Sequence, residues 1–251
     1  MVCQCGDVVV ENYTLPANLT CAGDGLTVVS SSVLPVALDL GGKTLSGTDK
    51  LGFGLRLVGM SGAVSHGRIQ NFDIGIGSPA PVTIVDWQIG DPSRGLTVTN
   101  NRRGLDVSAD GTTLVNIVAT SNVEDGVLLE GTVNGVAGLT CSKNGGTGLS
   151  VFGDSNVIEG NRCERNGQNG IHVNGRDNAL IRNLAGSNGF TGVLVFGNGN
   201  SLESNQGRTN GSDGVLGFGG NLSTDGRNYG NGNGALNCHI DGHPTTGGKY
   251  C

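Results

Sequence analysis

The sequence predicts an all-β chain wound into a solenoid, and three observations predict it. Glycine supplies 47 of 251 residues, against a usual share of about 7%, so the backbone turns often. From Gly104 to Gly214 a glycine followed by a short apolar segment recurs every 22 residues. No stretch carries the 3.6-residue apolar period of a helix.

Composition sets the limits first. With 6 prolines, neither a collagen-like nor a proline-rich chain fits. Aromatic residues are 4% of the chain, so the core is built from Val, Leu, Ile and Ala. Lys and Arg number 15 against 21 Asp and Glu, a net charge of −6. That surface repels duplex DNA and anionic membranes, and no basic run offsets it, so no nucleic-acid partner is expected. No run of about 18 apolar residues exists to span a membrane.

The repeat supplies the architecture. Its copies begin Gly104-Leu105-Asp106-Val107, Gly126-Val127-Leu128-Leu129, Gly148-Leu149-Ser150-Val151 and Gly170-Ile171-His172-Val173, and continue at Gly192 and Gly214. Four residues before the later glycines stand Asn122, Asn144, Asn166, Asn188 and Asn210, and the same offset selects Asn100, Asn71 and a slipped Asn231. A second apolar cluster follows in each coil, as in Asn156-Val157-Ile158-Glu159. These segments alternate with period two between Gly, Asn and Asp, which reads as short strands. About 22 residues per turn and no helix leave a parallel β-solenoid, its coils about 4.8 Å apart. Three inward ladders follow: Leu105 to Val215, Val107 to Val195, and Leu114, Val136, Ile158, Leu180, Leu202. The asparagines suit a left-handed turn position, with their amides bonding backbone above and below. Gly75 to Gly104 spans 29 residues, which implies an insertion within Asp86–Gly95.

The repeats resemble those of right-handed parallel β-helix proteins of the pectate-lyase-like superfamily. The first fifty residues resemble the N-terminal coil of bacterial secreted members, through Cys5-Gly6-Asp7, Leu19-Thr20-Cys21-Ala22-Gly23-Asp24-Gly25-Leu26 and Leu38-Asp39-Leu40-Gly41-Gly42-Lys43-Thr44-Leu45-Ser46-Gly47. The resemblance implies a single domain of about nine coils. Residues 1–50 form its N-terminal cap and first coil, 54–235 the regular coils and 236–251 the tail. It also implies a Cys5–Cys21 disulfide. Cys238 and Cys251 bracket the tail in the same way, while Cys141 and Cys163 stack one coil apart as buried thiols or a bridge, and Cys3 is left over. Cysteines gathered at the ends favour a secreted or periplasmic protein, the signal peptide absent from this chain. Cys238, His239, His243 and Cys251 match no standard zinc spacing, so no metal site is expected.

The resemblance also implies a substrate on the outside of a sheet, a polysaccharide or oligosaccharide. The outward ladders are Asp106, Leu128, Ser150, His172, Leu194, Leu216 and Ser108, Glu130, Phe152, Asn174, Phe196, Phe218. His172 is the candidate base for β-elimination, and Asp106 with Glu130 the candidate carboxylate pair for hydrolysis. Trp87, Arg94, Arg103, Phe152, Asn174 and Arg176 are candidate substrate contacts, although Trp87 alternates with Ile84 and Ile89 well enough to be core. Leu194, Phe196, Leu216 and Phe218 form an apolar patch that suits a second copy of the chain or another cover. No aspartate-rich calcium cluster, His-Glu after Asp91-Pro92, or paired aspartates of polygalacturonase type is present. No cofactor is expected, calcium has no identifiable ligand cluster, and no catalytic residue carries over. The expectation is an extracellular polysaccharide-binding protein that is a lyase, epimerase or hydrolase if it is an enzyme. The alternative is a non-catalytic, self-assembling solenoid.

Overall fold

The structure, a computed structural model, describes residues 2–79, 83–242 and 250–251. Three parallel sheets run its length, and the chain visits each once per coil. The first sheet has 12 strands, among them Arg103–Asp110, Val127–Glu130, Leu149–Phe152, Ile171–Asn174, Val193–Phe196 and Val215–Phe218. The second and third have 10 each, represented by Gly135–Ala137 and Thr140–Ser142. No helix occurs among the described residues. About ten turns stack instead of nine. The difference arises at the N terminus, where Val8–Val9, Tyr13–Thr14 and Leu19–Cys21 already place one strand in every sheet.

Register carries the 22-residue period into three dimensions. Leu105 pairs with Val127, Val127 with Leu149 and Leu149 with Ile171, each buried at 0% exposure. Leu114, Val136, Ile158, Leu180 and Leu202 stack likewise in the second sheet. Each such side chain contributes about 1.5–3 kcal/mol by leaving water, and aliphatic residues repeat at a fixed spacing without crowding.

The corners are held by asparagine. One ladder runs Asn101, Asn122, Asn144, Asn166, Asn188, Asn210 and Asn233. At each rung a backbone N–H donates to the next Oδ1, as from Asn144 to Asn166 at 3.0 Å. The Asn144 Nδ2 donates forward to Asn166 Oδ1 at 3.1 Å and back to the Ala119 carbonyl at 3.0 Å. Two further ladders, through Asn134–Asn156–Asn178–Asn200 and Asn161–Asn183–Asn205–Asn228, secure the other corners. The amides therefore bond above and below as expected, but three details differ. In the regular coils the left-handed residue is the one before the asparagine, at Ser121, Lys143, Arg165, Ser187 and Thr209, whereas Asn71 and Asn100 take the left-handed conformation as expected. In the irregular coils the rung is Asn101 and not Asn100, with Phe72 below it in place of Asn71. At the far end it is Asn233 and not Asn231.

The repeating glycine has a different cause from turning. Gly148 does not take a positive φ, yet a Cβ there would lie 2.6 Å from Asn166 Nδ2 and 2.7 Å from the Gly170 carbonyl. Glycine recurs because the asparagine ladder passes beside it.

The 29-residue coil absorbs its extra residues at two corners. Ile76 pairs with Leu105 and Gln88 with Thr113, so four added residues precede Gln88. Leu96 pairs with Ile117, so four more lie between Gly90 and Leu96, while the stretch from Leu96 to Leu105 is one residue shorter than that from Ile117 to Val127. The strand Ile84–Val85 fills the first corner by pairing with Ala109–Asp110. Disulfides Cys5–Cys21 and Cys238–Cys251 staple the ends. The second removes both cysteines of the tail from metal binding, and His243 lies outside the described residues. Cys141 and Cys163 are free, buried and adjacent in register, and burial pushes the Cys163 thiol up.

Candidate functional site

The outer face of the first sheet changes character along the axis. Toward its N-terminal half lies an ion-pair network. Arg102 donates to both oxygens of Asp73 and, at 2.8 Å, to Glu124. Arg103 donates to Glu124 at 2.7 Å and to Asp106 at 2.7 Å. The two guanidinium groups hold Glu124 below the usual carboxylate range, and the Arg102 hydrogen bonds do the same for Asp73.

Next to Glu124 in the chain, Asp125 has the opposite environment. Burial pushes its carboxyl upward, against the Thr147 N–H that donates to Oδ1 at 2.7 Å. Ser150, itself buried, donates to Oδ2 at 3.4 Å. The carboxyl sits so close over the next coil that a Cβ on Gly146 would lie 2.1 Å from Oδ1. Arg103, Glu124, Asp125, Leu128, Gly146 and Gln168 line an open depression of about 390 Å³ there. A hollow of about 320 Å³ around Val8, Val9, Val10 and Tyr13 lies at the N-terminal end, beside the first strand of this sheet.

Toward the C-terminal half, rings replace charges. Phe152 meets His172 edge-on at 5.4 Å, and His172 meets Phe196 at 5.9 Å. Phe196 stacks on Phe218 at 5.4 Å, and Phe218 approaches His239 at 6.0 Å. Burial holds His172 below the usual histidine range, and its Nε2 is buried without a hydrogen-bond partner. The patch expected at Leu194, Phe196, Leu216 and Phe218 is largely self-covered. Leu216 is only 6% exposed, while Phe196 at 39% is the most open of the row.

The sequence candidates thus separate. Arg103, Asp106, Phe152, His172 and Asn174 share the face, and Arg176 stands exposed at the corner beyond Asn174. Glu130 is exposed on the same strand ladder, in register with Ser108, and neither it nor Asp106 lines the depression. Asp106 is engaged by Arg103. Trp87 leaves the candidate set: it is 1% exposed, its ring occupies the space above Gly62, and Nε1 donates to the Gly59 carbonyl at 3.0 Å. Its alternation with Ile84 and Ile89 is that of core. Arg94 lies on a different corner, after Gln88–Gly90, where it pairs with Asp39 at 2.9 Å and with Asp91. Asp91 there is lowered to about 2 by the Ser93 hydroxyl and backbone N–H. Glu124 and Asp125 were missed because Glu124 has no counterpart in other coils and the Asp125 position returns to aspartate only at Asp213. The signal available was that they are the only two adjacent acids in the chain, immediately before a repeat glycine.

No family model matches the chain, and no curated protein does. Solved structures match along nearly all of it. The A-module of the Azotobacter vinelandii mannuronan C-5 epimerase AlgE6 aligns at a TM-score of 0.63 and 14% identity, covering 93% of this chain and 85% of the module. Pectate lyase Pel9A aligns at 0.59 and 16% identity, covering 92% of this chain and 72% of the lyase. The Dettilon tailspike protein aligns at 0.54 and 11% identity, and this chain spans 53% of its length. Such identities speak to fold alone. The chain is a right-handed parallel β-helix, the fold on which this pectate lyase and this epimerase are built.

Proposed function

We propose that the protein binds and cleaves a polysaccharide along the outer face of the first sheet, with Asp125 exchanging the proton. The carrying observation is the pair of neighbouring acids in one open depression, Asp125 pushed toward its neutral form and Glu124 held ionised. Two carboxyl groups driven apart in this way suit glycosidic hydrolysis, one as acid and one as carboxylate. β-Elimination asks for an accessible base and a free cation beside a uronate. Here the His172 Nε2 is buried, and Arg102 and Arg103 are already engaged. Arg103 and Gln168 line the cleavage position, and Phe152, Asn174 and Arg176 extend the track. The shared fold with polysaccharide-active proteins supports the substrate class, and the two disulfides support a secreted or periplasmic setting.

The test is a polysaccharide panel read for reducing ends and for 235 nm absorbance together. Reducing ends without absorbance are expected, falling about 100-fold or more in Asp125→Asn. Absorbance that rises with the wild type and vanishes in His172→Ala would overturn this assignment and make His172 a lyase base. A second reading, self-association, draws on the exposed Phe196 beside the half-buried Leu194. It predicts concentration-dependent sedimentation that Phe196→Ser abolishes.

A further inference from the structure

We infer that the polymer this face accepts is electrically neutral, a chain of uncharged sugars and not a polyuronate. The inference rests on the reading of the face given above. Its first support is the engagement of the cations. Around the depression, Asp73, Asp106, Glu124 and Asp125 face only Arg102 and Arg103. Arg102 uses Nε, Nη1 and Nη2 on Asp73 and Glu124, and Arg103 uses Nε and Nη1 on Glu124 and Asp106. A uronate carboxylate would have to displace one of these partners. It would leave a carboxylate unpaired beside an already acidic depression, an exchange of one charge-assisted contact for another with added repulsion.

The second support is independent and lies further along the axis. A chain bound along the face continues over Phe152, His172, Phe196 and Phe218. His172 is the one titratable group among these four, and burial disfavours its charged form. Carboxylates carried on a sugar chain would lose water over these rings, while Arg176, the cation on the track, stands exposed at the corner beyond Asn174 and off the ring row. Neutral sugars meet the opposite situation. Their C–H surfaces suit the apolar row, while their hydroxyls can donate to Asp106 and Glu124 and bond the amides of Gln168 and Asn174.

The folded protein is to be run by affinity electrophoresis through gels holding neutral polymers (glucans, galactans, mannans and mixed hexose and deoxyhexose chains) or the polyuronates pectate and alginate. Each is run with and without calcium, and reducing ends are assayed in parallel. Retardation and cleavage by at least one neutral polymer, at least about tenfold above either polyuronate, is the expected result. Cleavage of pectate or alginate that Asp125→Asn abolishes would overturn the neutral-polymer inference and leave the site assignment standing. Neither retardation nor cleavage by any polymer would overturn the site assignment itself. The double variant Asp73→Asn/Asp106→Asn frees guanidinium donors without touching Glu124 or Asp125. Polyuronate binding should rise in it by about tenfold or more. No rise would show that engaged arginines are not what excludes uronates.

Discussion

Inside and outside the first sheet, the same strands follow opposite rules. In Val127–Glu130, Val127 and Leu129 point inward and match their counterparts in every neighbouring coil, while Leu128 and Glu130 point outward and match none. Inward positions must satisfy the coil above and the coil below at once, so a change in one rung is felt by two others. Outward positions meet solvent on one side and are free to differ. Repetition therefore marks what holds the helix together, and departure from repetition marks where chemistry can be placed.

The sharpest way to break that contrast uses one residue type on both sides. Asn166→Ala removes hydrogen bonds to the Asn144 N–H, the Asn144 amide, the Cys141 carbonyl and the Asn188 side chain. Unpaired buried groups cost about 1–3 kcal/mol each, so urea unfolding should show a loss of about 4 kcal/mol or more. Asn174→Ala, on the exposed face, should stay within about 0.5 kcal/mol. Similar losses from the two would erase the distinction.

A smaller effect compares two glycines. At Gly148 an added methyl meets the ladder amide and a carbonyl, whereas at Gly160 nothing lies within 4 Å but φ is +62°. Gly148→Ala should cost about 3 kcal/mol through crowding and Gly160→Ala about 1 kcal/mol through backbone strain. The reverse order, in the same unfolding assay, would mean that the repeat glycine serves the turn.

The smallest effect concerns acid sensitivity. Burial lowers the His172 pKa, so the unfolded chain binds its proton more readily than the folded one. Stability from the neutral ring is complete above the ordinary histidine range and is lost as pH falls below about 6.5. His172→Leu, which repeats the Leu128 and Leu194 of its ladder, should flatten the fall in Tm between pH 7 and pH 5. Parallel wild-type and variant curves would show that the ring titrates freely.

Legibility follows the same division. Leu105, Val127 and Leu149 announce their ladder because close packing accepts few residue types at each rung. The left-handed corner was not legible, because Ser121, Lys143, Arg165, Ser187 and Thr209 share no side-chain chemistry, and the asparagine one residue later drew the assignment. Asn100 satisfies the four-residue offset before Gly104, but this coil is one residue shorter there, so the rung falls on Asn101. At the site, Asp106 and His172 were legible as outward groups, whereas Asp125 was not. Its position reads Arg103, Thr147, Asn169, Thr191 and Asp213 in other coils, and only folding brings Thr147 and Ser150 around its carboxyl.

The asparagine ladder also bears on how the protein ages. Asn144, Asn166, Asn188, Asn210 and Asn233 each precede glycine, the pairing in which a backbone nitrogen most readily attacks the side-chain carbonyl and expels ammonia. In the coil both reactants are occupied: the Gly167 N–H donates to the Asn144 carbonyl at 2.8 Å, while the Asn166 amide is bonded on both sides. Deamidation is thus tied to the opening of a rung. The first to go should be Asn233, whose forward partner is Asn237, four residues on, in place of a rung on a following coil.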